Sequence, residues 1–324
     1  MQSAVDNPPY ALQDVPGKGK GLVATRDIPK GTRIVSEQAL ITTSAVGDSM
    51  ESLQRAVFQK VEALDNDQRL AFQSLRNIYP FQNAAEQYVG IFRTNGLPAE
   101  DVGDEAAIFL EACRINHACD NNSQKNWNDR IRRHTVHALR DIHAGEEITI
   151  TYISPLKNRQ TRQKVLQEKF GFTCLCRLCS LPEEQSQASD RRLERIQRLD
   201  FTIHQFVAGG MLGISLLTYL DEQNRLYNEQ GREDVGFAQT LDYAAQLTLA
   251  DCDLARGRIF AQRAAAAWKI AIGSDSTQAV DAAALTRIPP MGVLDGVSTL
   301  LTFMDRVPQG LGPDEFEDWL WNRT

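Results

Sequence analysis

The chain lacks the features that would mark a membrane, secreted or nucleic-acid-binding protein. No apolar run reaches the ~18 residues a spanning helix requires. The most apolar stretch, "FVAGGMLGISLLTYL", stops at 15 residues, contains three glycines and reads as a buried helix. The N-terminal "MQSAVDNPPYALQD" has neither a basic start nor an apolar core, so no secretory signal is read there and an intracellular protein is expected. Positive charge is not in excess. Against 42 Asp and Glu stand 35 Lys and Arg, a net charge of −7, so bulk composition gives no reason to expect nucleic acid and favours a basic protein partner. Cysteine is scarce, six in 324 residues, and in an intracellular chain these are thiols or metal ligands rather than bridges. What is present suffices for a globular protein: 42% hydrophobic and 24% charged residues, at a length that fits two domains of about 100–200 residues each.

Three of the cysteines crowd into "FGFTCLCRLC" (170–179), where Cys174, Cys176 and Cys179 form C-x-C-x2-C. Adjacent thiolates repel one another unless a cation sits between them, and tetrahedral zinc takes four such ligands. The fourth must come from a distance. Cys252 lies in the helical-looking "TLADCDLARGRI", where a lone cysteine packs in a core. Cys119 is the better candidate, because "RINHACDNN" is polar, irregular and rich in turn formers.

Along the chain, "GLVATRDIPKGTRIVSEQALITTS" (21–44) alternates apolar and polar residues about the turn Pro29-Lys30-Gly31, predicting two or three short strands. Residues 49–95 change character: Leu53, Val57, Val61 and Leu64 recur at helical spacing, which predicts a helical insert. Strand patterns return at "HTVHALRDI" and "GEEITITYI", joined by the turn His143-Ala144-Gly145. "NRQTRQKVLQEKFGF" is a short helix that Gly171 stops. After "SLPEEQSQASD", read as a polar linker, the remainder is helix-forming, and "QTLDYAAQLTLADCDLARGRIFAQRAAAAWKIAIG" predicts a helical hairpin whose Ala and Gly residues permit close packing. "DRIRRH" (129–134) reads as a solvated loop rather than a basic binding patch.

Gly19, Gly21 and Ala24 fit G-x-G-x-x-A, with Glu37 at a suggestive distance, but Pro29 and Gly31 leave no room for the crossover helix of a dinucleotide fold. A P-loop also fails, since no Ser or Thr follows the lysine where one is needed. The plain reading is a hairpin turn whose glycines allow close backbone approach to a ligand.

The order "GKGKGLVA", "RTN", "RINHAC", "GEEITITY", "FTCLCRLC" resembles the SET-domain lysine methyltransferases over about residues 15–180, with C-x-C-x2-C as their post-SET zinc segment. The resemblance implies an α+β fold. Its parts would be a β-rich SET domain of small sheets and a pseudo-knot over residues 1–180, with a helical insert at 48–95 and the post-SET segment at 170–180, then an all-α, TPR-like domain over 181–324. The tail is similar to that of the SET and MYND (SMYD-like) branch, yet residues 45–95 contain neither Cys nor His, so the MYND finger is absent and the fungal SET type without it is the nearer match.

By the same resemblance, Cys119 of the N-H-x-C motif completes the zinc site with Cys174, Cys176 and Cys179, and S-adenosyl-L-methionine is the cofactor. The backbone about Lys18, Gly19, Lys20 and Gly21 would lie against its methionine portion, and Asn95 and Asn116 would bond its polar groups. His117 would meet the adenine through its backbone, Phe172 would stack on the ring, and Tyr152 would be catalytic at the point of methyl transfer. Two departures are visible: Ala118 replaces the serine of N-H-S-C, and Phe170 stands where tyrosine is common beside the lysine channel. The expected activity is methyl transfer to a lysine amine of a protein, histone or non-histone. A catalytically idle SET-fold binding module and a small-molecule methyltransferase are the alternatives. The expected partner is a protein or peptide with an accessible lysine; no nucleic-acid or membrane binding is expected, and the chain is expected to be a monomer of the nucleus or cytoplasm.

Overall fold

The computed structural model describes residues 8–44, 49–100, 104–210, 215–287 and 306–323. The chain packs as two compact units, one of Met1–Ser154 with Gln160–Ser180, the other of Pro155–Arg159 with Leu181–Thr324.

The first unit holds four small sheets among the described residues. β1 (Tyr10–Val15) and β2 (Gly19–Ala24) form an antiparallel hairpin whose turn uses Gly17 at φ +73°. β3 (Arg33–Glu37) and β4 (Ile41–Ser44) follow, the "GLVATRDIPKGTRIVSEQALITTS" stretch thus giving three strands. The insert is helical as its periodicity predicts: α1 (Met50–Glu62), α2 (Asn66–Gln73) and α3 (Ala84–Asn95). Ser49 caps α1, and Asp65 with Gln68 forms a capping box on α2. Val57, Val61, Phe72 and Ile91 bury the inner faces of these helices in a core of their own.

β5 (Leu97–Pro98) and β6 (Glu105–Ile108) join β4 in the order β4-β6-β5. After a 3-10 turn at Ala112–Arg114 comes the two-residue β7 (Asn116–His117), then β8 (Ser123–Asn128) and β9 (Arg133–Ala138), sheeted as β3-β9-β8. β10 (Thr149–Ile150) does not pair with β9 across the His143-Ala144-Gly145 turn. It runs parallel to β7, with Thr149 beside Asn116 and Ile150 beside His117, and only two residues of "GEEITITYI" are strand. The reason is local: the Asn122 side chain accepts from the Thr149 N–H at 2.8 Å and donates to the Glu147 carbonyl at 2.8 Å, occupying groups a longer ladder would use. Leu22, Ile28, Val35, Phe109, Ile115, Val136, Ile142, Ile148 and Ile150 make the main core.

α4 (Arg159–Phe170) ends at Gly171, φ +71°, as read from the sequence. In the second unit every described regular element is a helix, and two sequence readings change. "SLPEEQSQASD" is not a linker, because α5 (Glu183–Ala208) begins inside it behind Pro182, a residue suited to a helix start. "FVAGGMLGISLLTYL" is not one buried helix. α5 stops at Gly209, α6 (Ser215–Gln230) begins beyond, and 211–214 lie outside the described residues. α7 (Val235–Ala250) and α8 (Leu254–Ile272) form the predicted hairpin. A Cβ on Gly257 would come within 2.6 Å of Leu249, so glycine sets their approach. Cys252 is not helical core but a half-buried residue of the connecting turn at φ +60°. α9 (Thr277–Leu285) and α10 (Pro313–Leu320) are the last helices among the described residues, and Trp321 packs edge-on against Phe260, ring centroids 4.6 Å apart.

Candidate active site and metal centre

Four thiols converge. The Sγ atoms of Cys119, Cys174, Cys176 and Cys179 all lie within 4.8 Å of one another, with Cys119 3.5 Å from Cys179 and 4.0 Å from Cys174. Zinc–sulfur bonds of about 2.3 Å in a tetrahedron place sulfurs roughly 3.8 Å apart, so the donor set fits that ion without rearrangement. Cys113 and Cys252 belong to other places in the chain. Crowding also splits the thiols: hydrogen bonding with Cys174 leads the shift of Cys119 far upward, and bonding from Cys119 and its neighbours holds Cys174 far below the usual thiol range. A bound dication removes that conflict by letting all four ionise together.

Local structure brings the segments to this point. Gln163 on α4 clasps Cys174, its amide donating to the Cys174 carbonyl at 2.7 Å and its carbonyl accepting from the Cys174 N–H at 2.9 Å. The buried Arg162, one residue earlier, reaches to 3.9 Å from the Cys179 sulfur. A guanidinium there offsets the negative charge of a tetrathiolate.

From Cys119 the network runs to Tyr152. The Tyr152 N–H donates to Nδ1 of His117 at 3.0 Å. Because Nδ1 accepts, the proton of the neutral ring sits on Nε2, which points at the Cys119 sulfur 3.3 Å away. The Tyr152 hydroxyl donates to the Ile115 carbonyl at 2.7 Å. Burial, then Cys113 and Glu147, push its phenol well above the ordinary tyrosine range, so Tyr152 stays protonated at physiological pH. Around it four rings close a circuit: His117–Tyr152 at 5.3 Å, Tyr152–Phe170 at 5.2 Å, Phe170–Phe172 at 6.4 Å and Phe172–His117 at 6.0 Å.

A polar cluster lies at the β2–β7 side. Lys18 pairs with Glu147 at 2.5 Å, and the Asn116 amide donates to Glu147 at 2.9 Å and to the Lys20 carbonyl at 3.2 Å. Gly21 faces these groups. A Cβ there would sit 2.5 Å from Asn116 Nδ2 and 3.1 Å from Glu147 Oε1, whereas Gly19 needs glycine for its φ of +77°. The cluster offers a cation, an anion and an amide in one place, the complement of an α-amino-carboxylate, and the four rings beyond suit a sulfonium and a purine. These residues fit S-adenosylmethionine. Asn95 stands on α3 instead, its side-chain amide donating to the carbonyls of Ile91 and Arg76, both at 2.7 Å, and its backbone carbonyl accepting from Cys113. Glu37 has no ligand role here: its carboxylate accepts from the backbone of Glu111 and Ala112 and so caps the 3-10 turn.

Sequence reasoning missed Glu147, Arg162 and the Ile115 carbonyl. Glu147 was visible as the second acid of G-E-E, but nothing in spacing linked it to Lys18, 129 residues away. Arg162 gave no signal at all.

Comparison with known proteins decides the family. A family model described as SET domain matches residues 19–153. Histone-lysine N-methyltransferase set5 of Schizosaccharomyces pombe is 32% identical over 318 residues, covering 96% of this chain and 93% of that protein. The chain belongs to the SET-domain lysine methyltransferases. Also similar are N-lysine methyltransferase SMYD2-B of Xenopus laevis, 29% identical over 39% of this chain and 30% of that protein, and protein-lysine N-trimethyltransferase SMYD5 of Gallus gallus, 38% identical over 22% and 17%. This SET-domain chain is accordingly an enzyme that uses S-adenosylmethionine to methylate protein lysine. Among the described residues no helix is long and apolar enough to cross a membrane.

Proposed function

We propose that this methyltransferase acts on a histone lysine, with Tyr152 catalytic and a structural zinc ion on Cys119, Cys174, Cys176 and Cys179. The observation that carries the reading is Tyr152 itself, enclosed by His117, Phe170 and Phe172 with both its hydroxyl proton and its backbone N–H already committed. The histone assignment rests on the name of the relative that spans nearly the whole chain. Residues 1–180 act as the SET domain with insert 48–95 and post-SET segment 170–180, and residues 181–324 as a helical partner-binding domain, working as a monomer in the nucleus or cytoplasm.

S-adenosylmethionine supplies an electrophilic methyl group on a sulfonium. Lys18 would take the carboxylate of its amino-acid portion, Asn116 would bond its polar groups, Asn95 could add only its side-chain oxygen because both its amide N–H groups are held by Ile91 and Arg76, and the backbone from Lys18 to Gly21 would lie alongside. His117 meets the adenine through its backbone and Phe172 stacks on the ring. Tyr152 orients the incoming amine. Since its proton is held by Ile115, the phenol oxygen presents lone pairs to the amine N–H, and no phenolate base is involved. A lysine amine has a pKa near ~10.4 in water; the ring-lined site disfavours its charged form by desolvation. Alignment then does most of the work, with near-attack geometry worth about 7–11 kcal/mol.

The test is methyl transfer from labelled cofactor to purified core histones, with a cell lysate and a metabolite extract in parallel. Label entering histone lysine is expected. Label confined to the metabolite extract, or to lysate proteins other than histones, overturns the assignment.

A further inference from the structure

A second polar cavity lies on the β8–β9 face of the first unit. It has a volume of about 180 Å³ and is lined by Pro98, Glu100, Lys125, Asn126, Trp127 and His134. Lys125 and Trp127 project from one face of β8 because they are two residues apart, and Trp127 stands opposite His134 in the register with β9.

Two features of this cavity are costly for a protein to keep without a ligand. His134 is 1% exposed, and neither ring nitrogen completes a well-formed hydrogen bond to the described protein, the Pro98 backbone giving it only a weak contact, although an imidazole always has one donor and one acceptor to satisfy. Among the described residues no carboxylate lies at ion-pair distance from the Lys125 ammonium, and burial pulls its pKa downward. Glu100 does not answer it, because its carboxylate accepts from the Glu105 N–H at 2.7 Å. Trp127 Nε1 is committed to Asp129 at 2.6 Å, and the Asn126 amide to the Trp127 carbonyl at 2.6 Å. The remaining donors are the ammonium and the imidazole N–H, on one wall of a space several waters in size. His134 is held flat by Phe109, ring centroids 4.5 Å apart, so its N–H direction is fixed.

We propose that this cavity binds a small oxyanion, a phosphate or carboxylate group, with the Lys125 ammonium and an N–H of His134 as its donors. Such a ligand satisfies both groups at once. The site is separate from the four-ring enclosure; behind it Phe109 donates its N–H to the Cys113 sulfur, and Cys113 donates to the Asn95 backbone carbonyl.

The proposal is tested by NMR on the full chain, following the His134 ring while inorganic phosphate replaces chloride at constant ionic strength. The chain has five histidines, and His134→Gln identifies the resonance. A saturable shift of His134 with phosphate is expected. Lys125→Met should weaken the binding by about tenfold to a hundredfold and Lys125→Arg should retain most of it. The unchanged dispersion of the other four ring signals reports that each variant is folded. A parallel titration with an N-acetylated phosphoserine tripeptide separates a free anion from one carried on a chain, and tighter binding of either supports the same chemistry. If His134 moves no more with phosphate or the phosphopeptide than with chloride, or if Lys125→Met titrates like the parent chain, the site does not exist.

Discussion

His117 and Tyr152 are joined twice, through the Tyr152 N–H to Nδ1 at 3.0 Å and through rings 5.3 Å apart, while the far nitrogen of His117 faces the Cys119 sulfur. One imidazole therefore stands between the thiol cluster and the hydroxyl proposed to meet the substrate. Disturbing the sulfur side should be felt at the tyrosine side.

Metal removal makes this measurable. Freshly isolated protein should contain one zinc per chain by elemental analysis, and Cys119→Ser should lose it together with most affinity for S-adenosylmethionine in calorimetry. Arg162→Met, which removes a cation beside Cys179 and leaves every thiol in place, should lower zinc affinity by about tenfold in competition with a chelator. Metal-free protein that binds cofactor normally would separate the two sites.

Tyr152→Phe removes one oxygen from a site already shaped by ring packing. Cofactor affinity should stay within about twofold, and turnover should fall at least about a hundredfold. Turnover equal to the parent would remove Tyr152 from the chemistry.

Gly21→Ala puts a methyl 2.5 Å from the Asn116 amide and crowds Glu147. One of them must move, so cofactor affinity should drop by about tenfold or more, corresponding to ~1.4 kcal/mol. The backbone at Gly21 is ordinary and the Val15 side chain, 3.0 Å from the added methyl, can shift by rotation, so the melting temperature should fall by a few degrees at most. A large fall in melting temperature with affinity intact would contradict this.

Phe170 lies 5.2 Å from Tyr152 and brings no hydroxyl to the lysine side of the site. The space and the missing hydrogen bond favour repeated transfer to one amine. Mass spectrometry of product peptides should show di- or trimethyllysine, and Phe170→Tyr should shift the distribution toward monomethyl. Only monomethyl product from the parent chain would refute this.

His134 gives a pH dependence of stability. Burial lowers its pKa to about 3, aided by Lys125, whereas an unfolded chain has the usual ~6.5. Between these values the unfolded state binds a proton that the native state does not, so stability falls as pH drops from 6.5 toward 3. At pH 5 the loss is on the order of 2 kcal/mol. Denaturant unfolding of His134→Phe should lack this component, and parallel curves for the two proteins from pH 7 to pH 5 would contradict the assignment.

Much of this was readable in advance because local patterns carried it. Val57 and Val61 announced the insert, Gly171 the end of α4, and the alternation around Pro29-Lys30-Gly31 the strands on either side. The cysteines were legible because thiols at that spacing have few other uses. What stayed hidden depends on partners remote in sequence. β10 pairs with β7 and not with its hairpin neighbour because Asn122 intercepts its backbone, and no periodicity reports that. β1 and β8 passed unread: "YALQDV" and "SQKNWN" are polar enough to look like loops, and their strand character comes from the partners they pair with. The helix through "SLPEEQSQASD" shows the reverse error, since polar composition was taken for a linker where Ser186 and Ser189 are in fact buried.

The thiol cluster joins residue 119 to residues 174–179, some 55 positions further along the chain, beside the Arg177–Asp120 ion pair at 3.0 Å. Bringing together positions that far apart costs about 3.5 kcal/mol of chain entropy, offset here by the β7–β10 pairing and the Arg177–Asp120 ion pair, to which a bound ion would add. During synthesis, therefore, the proposed four-cysteine site can be completed only after Cys179 has left the ribosome, when the rest of the β-rich portion is already available to fold.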